Sequence, residues 1–208
     1  MTTGNTRNSR KPVAGIILAA GRAVRMGVTK QLLPFEQTTL LGQVLQTARQ
    51  SQLDKICVVL GFEAERIRHS LDLTDIHLIE NSDWNKGQSF SVVAGLKVLP
   101  PEIDGALFLL GDQPLVTVQT INSLVSTFQT TDHWIVAPCY KGQQGNPVLV
   151  AAPLFHRLTY PAGDAGARVL FGEFRHRMHC LAVDDPGILR DVDTPEDYAA
   201  IVRDQKNR

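Results

Sequence analysis

No apolar run in this chain approaches the length of about 20 residues that a bilayer-spanning helix requires, so nothing in it reads as a membrane segment. The N-terminal MTTGNTRNSRKP is polar, carries Arg7, Arg10 and Lys11, and is followed by no long apolar segment of the secretory kind. Residues 1–12 are therefore expected to form a disordered tail, and the protein is expected to be cytoplasmic. An excess of one charge is also missing. Lys and Arg together number 21 and so do Asp and Glu, which leaves no global field to draw the molecule to nucleic acid or to a membrane surface. Any positive patch must then be local. Cysteine is scarce: Cys57, Cys139 and Cys180 stand singly in apolar runs, with no CxxC and no Cys/His ligand spacing. They are expected to be buried structural thiols in a reducing compartment rather than metal ligands or a disulfide. The six histidines show no ligand spacing; His176 and His179, beside Arg175 and Arg177, read as solvated basic residues, and no Ser-His-Asp arrangement is visible. There is no internal repeat and no low-complexity linker. At 208 residues the chain can bury one substantial core, and two domains would be a stretch.

What the sequence does contain is alternation. Apolar runs at 13–19, 56–60, 77–80, 106–110, 134–137, 147–150 and 178–182 predict strands, and amphipathic segments lie between them. Leu41, Val44, Leu45 and Ala48 share a helical face; so do Ala64, Ile67 and Leu71, and Ile121, Leu124, Val125 and Phe128. Thr117 is placed to cap the last of these. Thr194-Pro195-Glu196-Asp197 opens the final helix with an N-cap threonine, a proline at the first helical position and an acid three residues after the cap. VAGIILAA and GALFLL are continuously apolar, as central parallel strands must be. The pattern predicts one α/β domain of three layers with a mainly parallel sheet.

In such a sheet ligands bind beyond the carboxyl ends of the strands. Three of those ends carry chemistry here: AAGRAVRMG after the first strand, GDQP after the fourth, and RDVDTP before the last helix. The first loop satisfies neither the P-loop spacing nor G-x-G-x-x-G. Small residues at 19, 20 and 21 nevertheless let backbone N–H groups approach a polyanion, while Arg25 and Lys30 neutralise it, and Arg22 either assists or faces solvent. Asp112 emerges from a buried strand, either to cap the turn before the next helix or to hold a Mg²⁺ that bridges phosphate oxygens. Asp191 and Asp193 are candidates for a second carboxylate. They are expected to point to opposite faces of an extended DVD, so that only one meets the metal. In 81–95, Gly87 permits close approach of a ligand, and Ser89 and Ser91 either bind it or cap a helix that Trp84 packs against. A further helix is expected to begin near Gly166, on the pattern Ala167, Leu170, Phe171 and Phe174, with its free N–H groups and Arg168 suited to an anionic acceptor.

Taken in order, these segments resemble a known family. LAAGRAVRMGVTKQLL is similar to the signature LAAGxSxRMGxxKxLL of the NTP-transferase (MobA/MocA-like) nucleotidyltransferases. ENSDWNKGQSFSVVAGL, GDQP, QGNPVLV, GDAGAR and DVDTPEDY resemble that family's later motifs, over nearly the whole chain. Departures are small: Ala23 replaces a frequent serine and Glu36 stands where glycine is common. The resemblance is greatest to the molybdenum cofactor cytidylyltransferase group. It implies a three-layer α/β/α Rossmann-like nucleotidyltransferase fold with a mainly parallel mixed sheet, whose nucleotide half covers about 13–115 and whose acceptor half covers about 116–205. The activity it implies is Mg²⁺-dependent transfer of CMP from CTP to the terminal phosphate of molybdopterin, with pyrophosphate released. A recipient molybdoenzyme or its chaperone would be the partner.

By the same resemblance the catalytic residues are Arg25, Lys30 and Asp112. The nucleotide meets Leu18, Ala19, Ala20, Gly21, Arg22, Arg25, Lys30, Asn81, Gly87, Ser89, Ser91 and Gly111. The acceptor meets Gln113, Asn146, Pro147, Asp164, Gly166 and Arg168, and the metal rests on Asp112 and Asp191, leaving Asp193 to fix the turn. CTP rather than GTP rests on Ala20, since LAAG resembles the cytidylyl branch and LAGG the guanylyl one. Other readings stay open: GTP as donor, a sugar or alcohol phosphate as acceptor, or a non-catalytic chaperone that delivers the cofactor. A dinucleotide redox domain is disfavoured by the failed glycine spacing.

Overall fold

A computed structural model describes residues 10–159 and 163–206. In chain order the elements are β1 (Val13–Leu18), β2 (Pro34–Phe35), β3 (Thr38–Thr39), α1 (Leu40–Arg49), β4 (Lys55–Leu60), α2 (Ala64–Ser70), β5 (His77–Glu80), α3 (Gln88–Lys97), β6 (Gly105–Leu110) and α4 (Val118–Thr130). They continue with β7 (Ile135–Tyr140), β8 (Gln143–Gln144), β9 (Val148–Ala151), α5 (Phe155–Leu158), β10 (Met178–Ala182) and α6 (Pro195–Lys206). The main sheet runs β10-β7-β9-β6-β1-β4-β5, with β8 added to β7. β1 pairs in parallel with β4 and β6, β4 with β5, and β7 with β10. β9 lies antiparallel to both β6 and β7. β6 and β7 therefore run in the same direction, and the carboxyl ends of β1, β4, β6, β7 and β10 all open on one rim. The sheet is mixed and mainly parallel, as the sequence predicts.

The continuous apolar strands resolve into two faces with a period of two. Val13, Ile17, Leu107 and Leu109 pack with Leu41, Val44, Leu45, Ile67, Ile121, Leu124 and Phe128, under α1, α2 and α4. Ile16, Ala106 and Phe108 turn to the other face, where Val92, Leu96 and Leu158 bring in α3 and α5. Both faces of the central strands are covered, which is why those runs contain no polar residue.

A third cluster fixes the chain's last segment. Phe35 and Leu40, around the β2–β3 hairpin, pack on Val192 and Ile201, and the Tyr198 hydroxyl donates to the Pro34 carbonyl at 2.7 Å. Asp185, only 4% exposed, ties the connection after β10 to the start of α4. It accepts from the Thr117 N–H, from the Thr117 and Thr120 hydroxyls, and from the Gly187 N–H.

Thr117 caps α4 by accepting from the Thr120 N–H at 3.2 Å. At α6, Thr194 Oγ1 accepts from the Asp197 N–H and Asp197 Oδ2 accepts from the Thr194 N–H at 2.8 Å, a reciprocal cap. The Thr194 hydroxyl, more than any other group, holds the Asp197 carboxyl below its ordinary value. The contribution of that carboxylate is therefore complete above the ordinary Asp pKa and fades as pH falls through the lowered one. Thr194→Ala is expected to destabilise the protein by about 1 kcal/mol, read as a lower denaturant midpoint with unchanged slope.

Three expectations need correction. Residues 10–12 are held rather than disordered: Lys11 Nζ donates to the Phe128 and Thr131 carbonyls, and the Pro12 carbonyl accepts from the Asp104 N–H. Residues 1–9 lie outside the described residues. Cys139 and Cys180 are joined in a disulfide between β7 and β10, with Cα atoms 5.8 Å apart, whereas Cys57 is free and buried as expected. The pairing of Cys180 with Ala137 and of Cys139 with Ala182 brings the two together, and their separation of 41 residues gives no hint of it. No α-helix forms near Gly166. Residues Gly163–Leu170 make 3₁₀ turns broken at Gly166, whose φ of 51° and ψ of −140° are non-helical. Among the described residues, no helix is long and apolar enough to cross a membrane.

Candidate functional site

Where β1 and β6 end, the chain leaves a cleft of about 860 Å³. β1 and β6 finish in register, Leu18 opposite Leu110, and Gly111 is needed just beyond. A Cβ at Gly111 would stand 2.8 Å from the Ala19 Cβ, so any side chain there would push the two loops apart. Leu18, Ala19, Ala20, Gly21, Arg22, Lys30, Gly87, Ser91, Gly111 and Asp112 all line the cleft. Segments predicted from three separate motifs thus converge on one rim.

The centre of the arrangement is Lys30. Its Nζ donates to Asp112 Oδ2 at 2.6 Å and to Asp193 Oδ1 at 2.8 Å. Burial opposes the charge on Lys30, but the two carboxylates outweigh it and hold the ammonium above its ordinary pKa. Asp193 is placed by its neighbours: Val192, fully buried, anchors the segment, and its N–H donates to the Asp112 carbonyl at 3.0 Å. Burial pushes the Asp112 carboxyl up and Lys30 draws it back down. Burial likewise opposes ionisation of Asp193, but the hydrogen bond and charge of Lys30, with help from Arg25, hold its carboxyl below the ordinary value.

Asp191 and Asp193 do not point apart. Residues i and i+2 of an extended segment share a face, and with Val192 turned inward both carboxylates line a neighbouring pocket of about 290 Å³. Asp193, not Asp191, makes the contact with Lys30. Arg25 lies in that pocket as well, with its guanidinium 2.8 Å from Asp193 Oδ2, rather than in the cleft.

Other expected residues sit behind the surface. Asn81 is buried and its amide donates to the Ser91 hydroxyl at 3.0 Å. Ser89 is buried in the first turn of α3. Gln113 and Pro147 line a separate narrow crevice with Val44 and Thr47. Asn146 follows Gly145 and precedes Pro147 through a cis peptide bond. Its Oδ1 accepts from Arg168 at 3.5 Å, so two of the acceptor candidates meet. Gly166 abuts the cleft segment, since a Cβ there would stand 2.7 Å from Gln88 Oε1. The Asp164 side chain lies outside the described residues.

Sequence reasoning missed Gln31, Asp193 as a partner of Lys30, and the cleft contributions of Trp84, Asn85, Lys86 and Gln88. Trp84 stands edge-on to Phe62 at 5.4 Å, and the Arg22 guanidinium lies over the Phe62 ring at 5.3 Å. The position of Gln31 beside Lys30 in KQLL is the one signal that pointed to it.

The residues present fit a divalent cation of the Mg²⁺ or Mn²⁺ kind. Asp112 Oδ1 has no hydrogen-bond partner, and the available ligands are hard carboxylate oxygens. Among the described residues no group of three or more His, Cys, Asp or Glu forms a metal cage. An ion here would rest on one or two carboxylates together with phosphate and water oxygens, the usual Mg²⁺ mode.

Comparison with known proteins gives the family. The chain is 31% identical to the purine catabolism protein PucB of Bacillus subtilis, with 91% of this chain and 95% of PucB covered. It is 27% identical to the molybdenum cofactor cytidylyltransferase of Escherichia coli (88% and 92% covered) and 28% identical to the nicotine blue oxidoreductase of Paenarthrobacter nicotinovorans (88% and 93%). At such similar identities the cytidylyltransferase does not stand out as the nearest relative. Rv0371c of Mycobacterium tuberculosis, solved in complex with manganese, superposes with a TM-score of 0.76 at 32% identity, covering 92% of this chain and 98% of that one. The model of the MobA-like NTP transferase domain matches residues 15–179. The chain belongs to the MobA-like NTP transferase family.

Proposed function

We propose that this nucleotidyltransferase moves CMP from CTP to the terminal phosphate of molybdopterin. The acceptor's phosphate oxygen attacks the α-phosphorus, and the bond to the leaving pyrophosphate breaks. The observation that carries the reading is Lys30 held between Asp112 and Asp193 at the mouth of the cleft. An acceptor phosphate is already an anion at neutral pH, so no general base is required, and the cleft lining includes no histidine or cysteine. What the reaction needs is alignment and offset of charge. Lys30 and Arg22 supply cations, and the small residues 19–21 let the phosphate tail lie against the backbone. Asp112, with Asp191 or Asp193, would hold Mg²⁺, which supplies Lewis-acid stabilisation of phosphate oxygens. Arg25 acts through Asp193, whose carboxylate it orients. The nucleotide half spans about 13–115, and the acceptor half, with Asn146 and Arg168, about 116–205.

The identity to PucB supports a second reading, in which the same chemistry serves a different acceptor. The test incubates the protein with Mg²⁺, molybdopterin and each α-labelled nucleoside triphosphate in turn. Label is expected to pass from CTP to the pterin. Label moving only from GTP, or only to a sugar phosphate, ends the cytidylyl reading and leaves the nucleotidyltransferase intact.

A further inference from the structure

Gln31 is buried to 3% exposure, yet it lines the cleft. Its Nε2 donates to two carbonyls of the glycine turn, Ala19 at 3.0 Å and Gly21 at 3.0 Å. The carbonyl between them, that of Ala20, accepts from the Phe62 N–H at 3.0 Å. Three successive peptide groups are thus anchored by their oxygens. In a planar trans peptide the N–H points opposite to the C=O, so anchoring these oxygens also aims the N–H groups of Ala20, Gly21 and Arg22. Among the described residues, none of those three N–H groups has a protein acceptor. The two carbonyls fix the sense of the Gln31 amide, since reversing it would set oxygen against two carbonyl oxygens, and Oε1 is left without a partner.

We infer that Gln31 is a positioning residue that holds the 19–21 turn open as a backbone cradle for the phosphate tail of a nucleoside triphosphate. The inference rests on reading the cleft as the nucleotide site. Gln31 shares the 3₁₀ turn Lys30–Leu32 with Lys30. One turn of chain therefore sets both the cation that meets the carboxylates and the clamp that shapes the loop, so the two halves of the anion site keep a constant spacing.

The test uses Gln31→Met, which keeps the length and bulk of the side chain and removes both donors. Calorimetry with Mg²⁺ and CTP, and separately GTP, is expected to give a dissociation constant raised about tenfold or more, with KM for the nucleotide rising in step. KM for the acceptor should stay near wild type, and the thermal midpoint should fall modestly because the buried Ala19 carbonyl loses its donor. Gln31→Glu, of the same shape but with a carboxylate facing the two carbonyls, should weaken nucleotide binding at least as much. Unchanged nucleotide affinity in Gln31→Met, with or without a lower thermal midpoint, overturns the positioning role and leaves the proposed function standing. A wild-type protein that binds no nucleoside triphosphate overturns both. Should neither variant fold, the wild type decides by NMR. The amide protons of residues 20, 21 and 22 are expected to shift and gain exchange protection on adding Mg²⁺ and CTP, and their indifference would overturn the inference.

Discussion

Lys30→Ala is expected to lower kcat by about a hundred- to a thousandfold, the usual effect of removing one preorganised charge contact to a reacting group. Asp112→Asn should fall by a similar factor, because a carboxamide brings no charge to a metal and gives Lys30 a weaker partner. The two groups touch at 2.6 Å, so the double variant should lose much less than the product of the single losses. Lys30 is held charged well past neutral pH, so its own titration should not limit the rate near pH 7. Stability carries a second signature. Without the ammonium, Asp112 and Asp193 face each other as like charges, which raises their pKa values. A group whose folded pKa is raised favours the folded state in its protonated form. The stability deficit of Lys30→Ala should therefore shrink as the pH is lowered and a proton replaces the missing cation. Steady-state kinetics and denaturant melts at two pH values read both effects. Near-normal turnover of either purified, folded single variant would refute the catalytic assignment.

The largest loss of stability is expected at Asp185, which does not line the cleft. Its two oxygens accept four hydrogen bonds from Thr117, Thr120 and Gly187, the shortest at 2.6 Å from the Thr120 hydroxyl. Asp185→Ala leaves the buried Gly187 N–H and Thr120 hydroxyl and the part-buried Thr117 N–H without this acceptor, at a cost of about 3 kcal/mol. For a chain of this size that corresponds to a thermal midpoint lower by roughly 6–12 °C. The carboxylate also sits at the N-terminus of α4, where negative charge is favoured. Asp185→Asn retains an acceptor and should cost less. Calorimetric midpoints of the two variants check the order, and kcat per folded molecule should remain near wild type in both.

Much of the architecture could be read from the sequence because burial on both faces leaves a continuous apolar run, as in GALFLL. The caps Thr117 and Thr194 were equally legible, since a cap is decided by residues within one turn. The direction of β9 was not, because the same apolar residues suit either orientation and only pairing with β6 and β7 sets it. The 163–170 segment read as helical because Ala167, Leu170 and Phe174 have the spacing, while the backbone break at Gly166 leaves no mark on that spacing. The Cys139–Cys180 bridge and the Lys30–Asp193 contact join residues far apart in the chain, and composition says nothing about such meetings. Asp193 was misplaced for a different reason: strand alternation puts second neighbours together, and buried Val192 is the residue that turns the other way.

The reversal of β9 within the sheet has a further consequence. β9 runs against both its neighbours, so the turns after β7 and β10 open on the same rim as the glycine turn, with β9 and β6 lying between them and β1. Insertions in 141–147 would reshape that side of the rim and leave the loop after β1 in place.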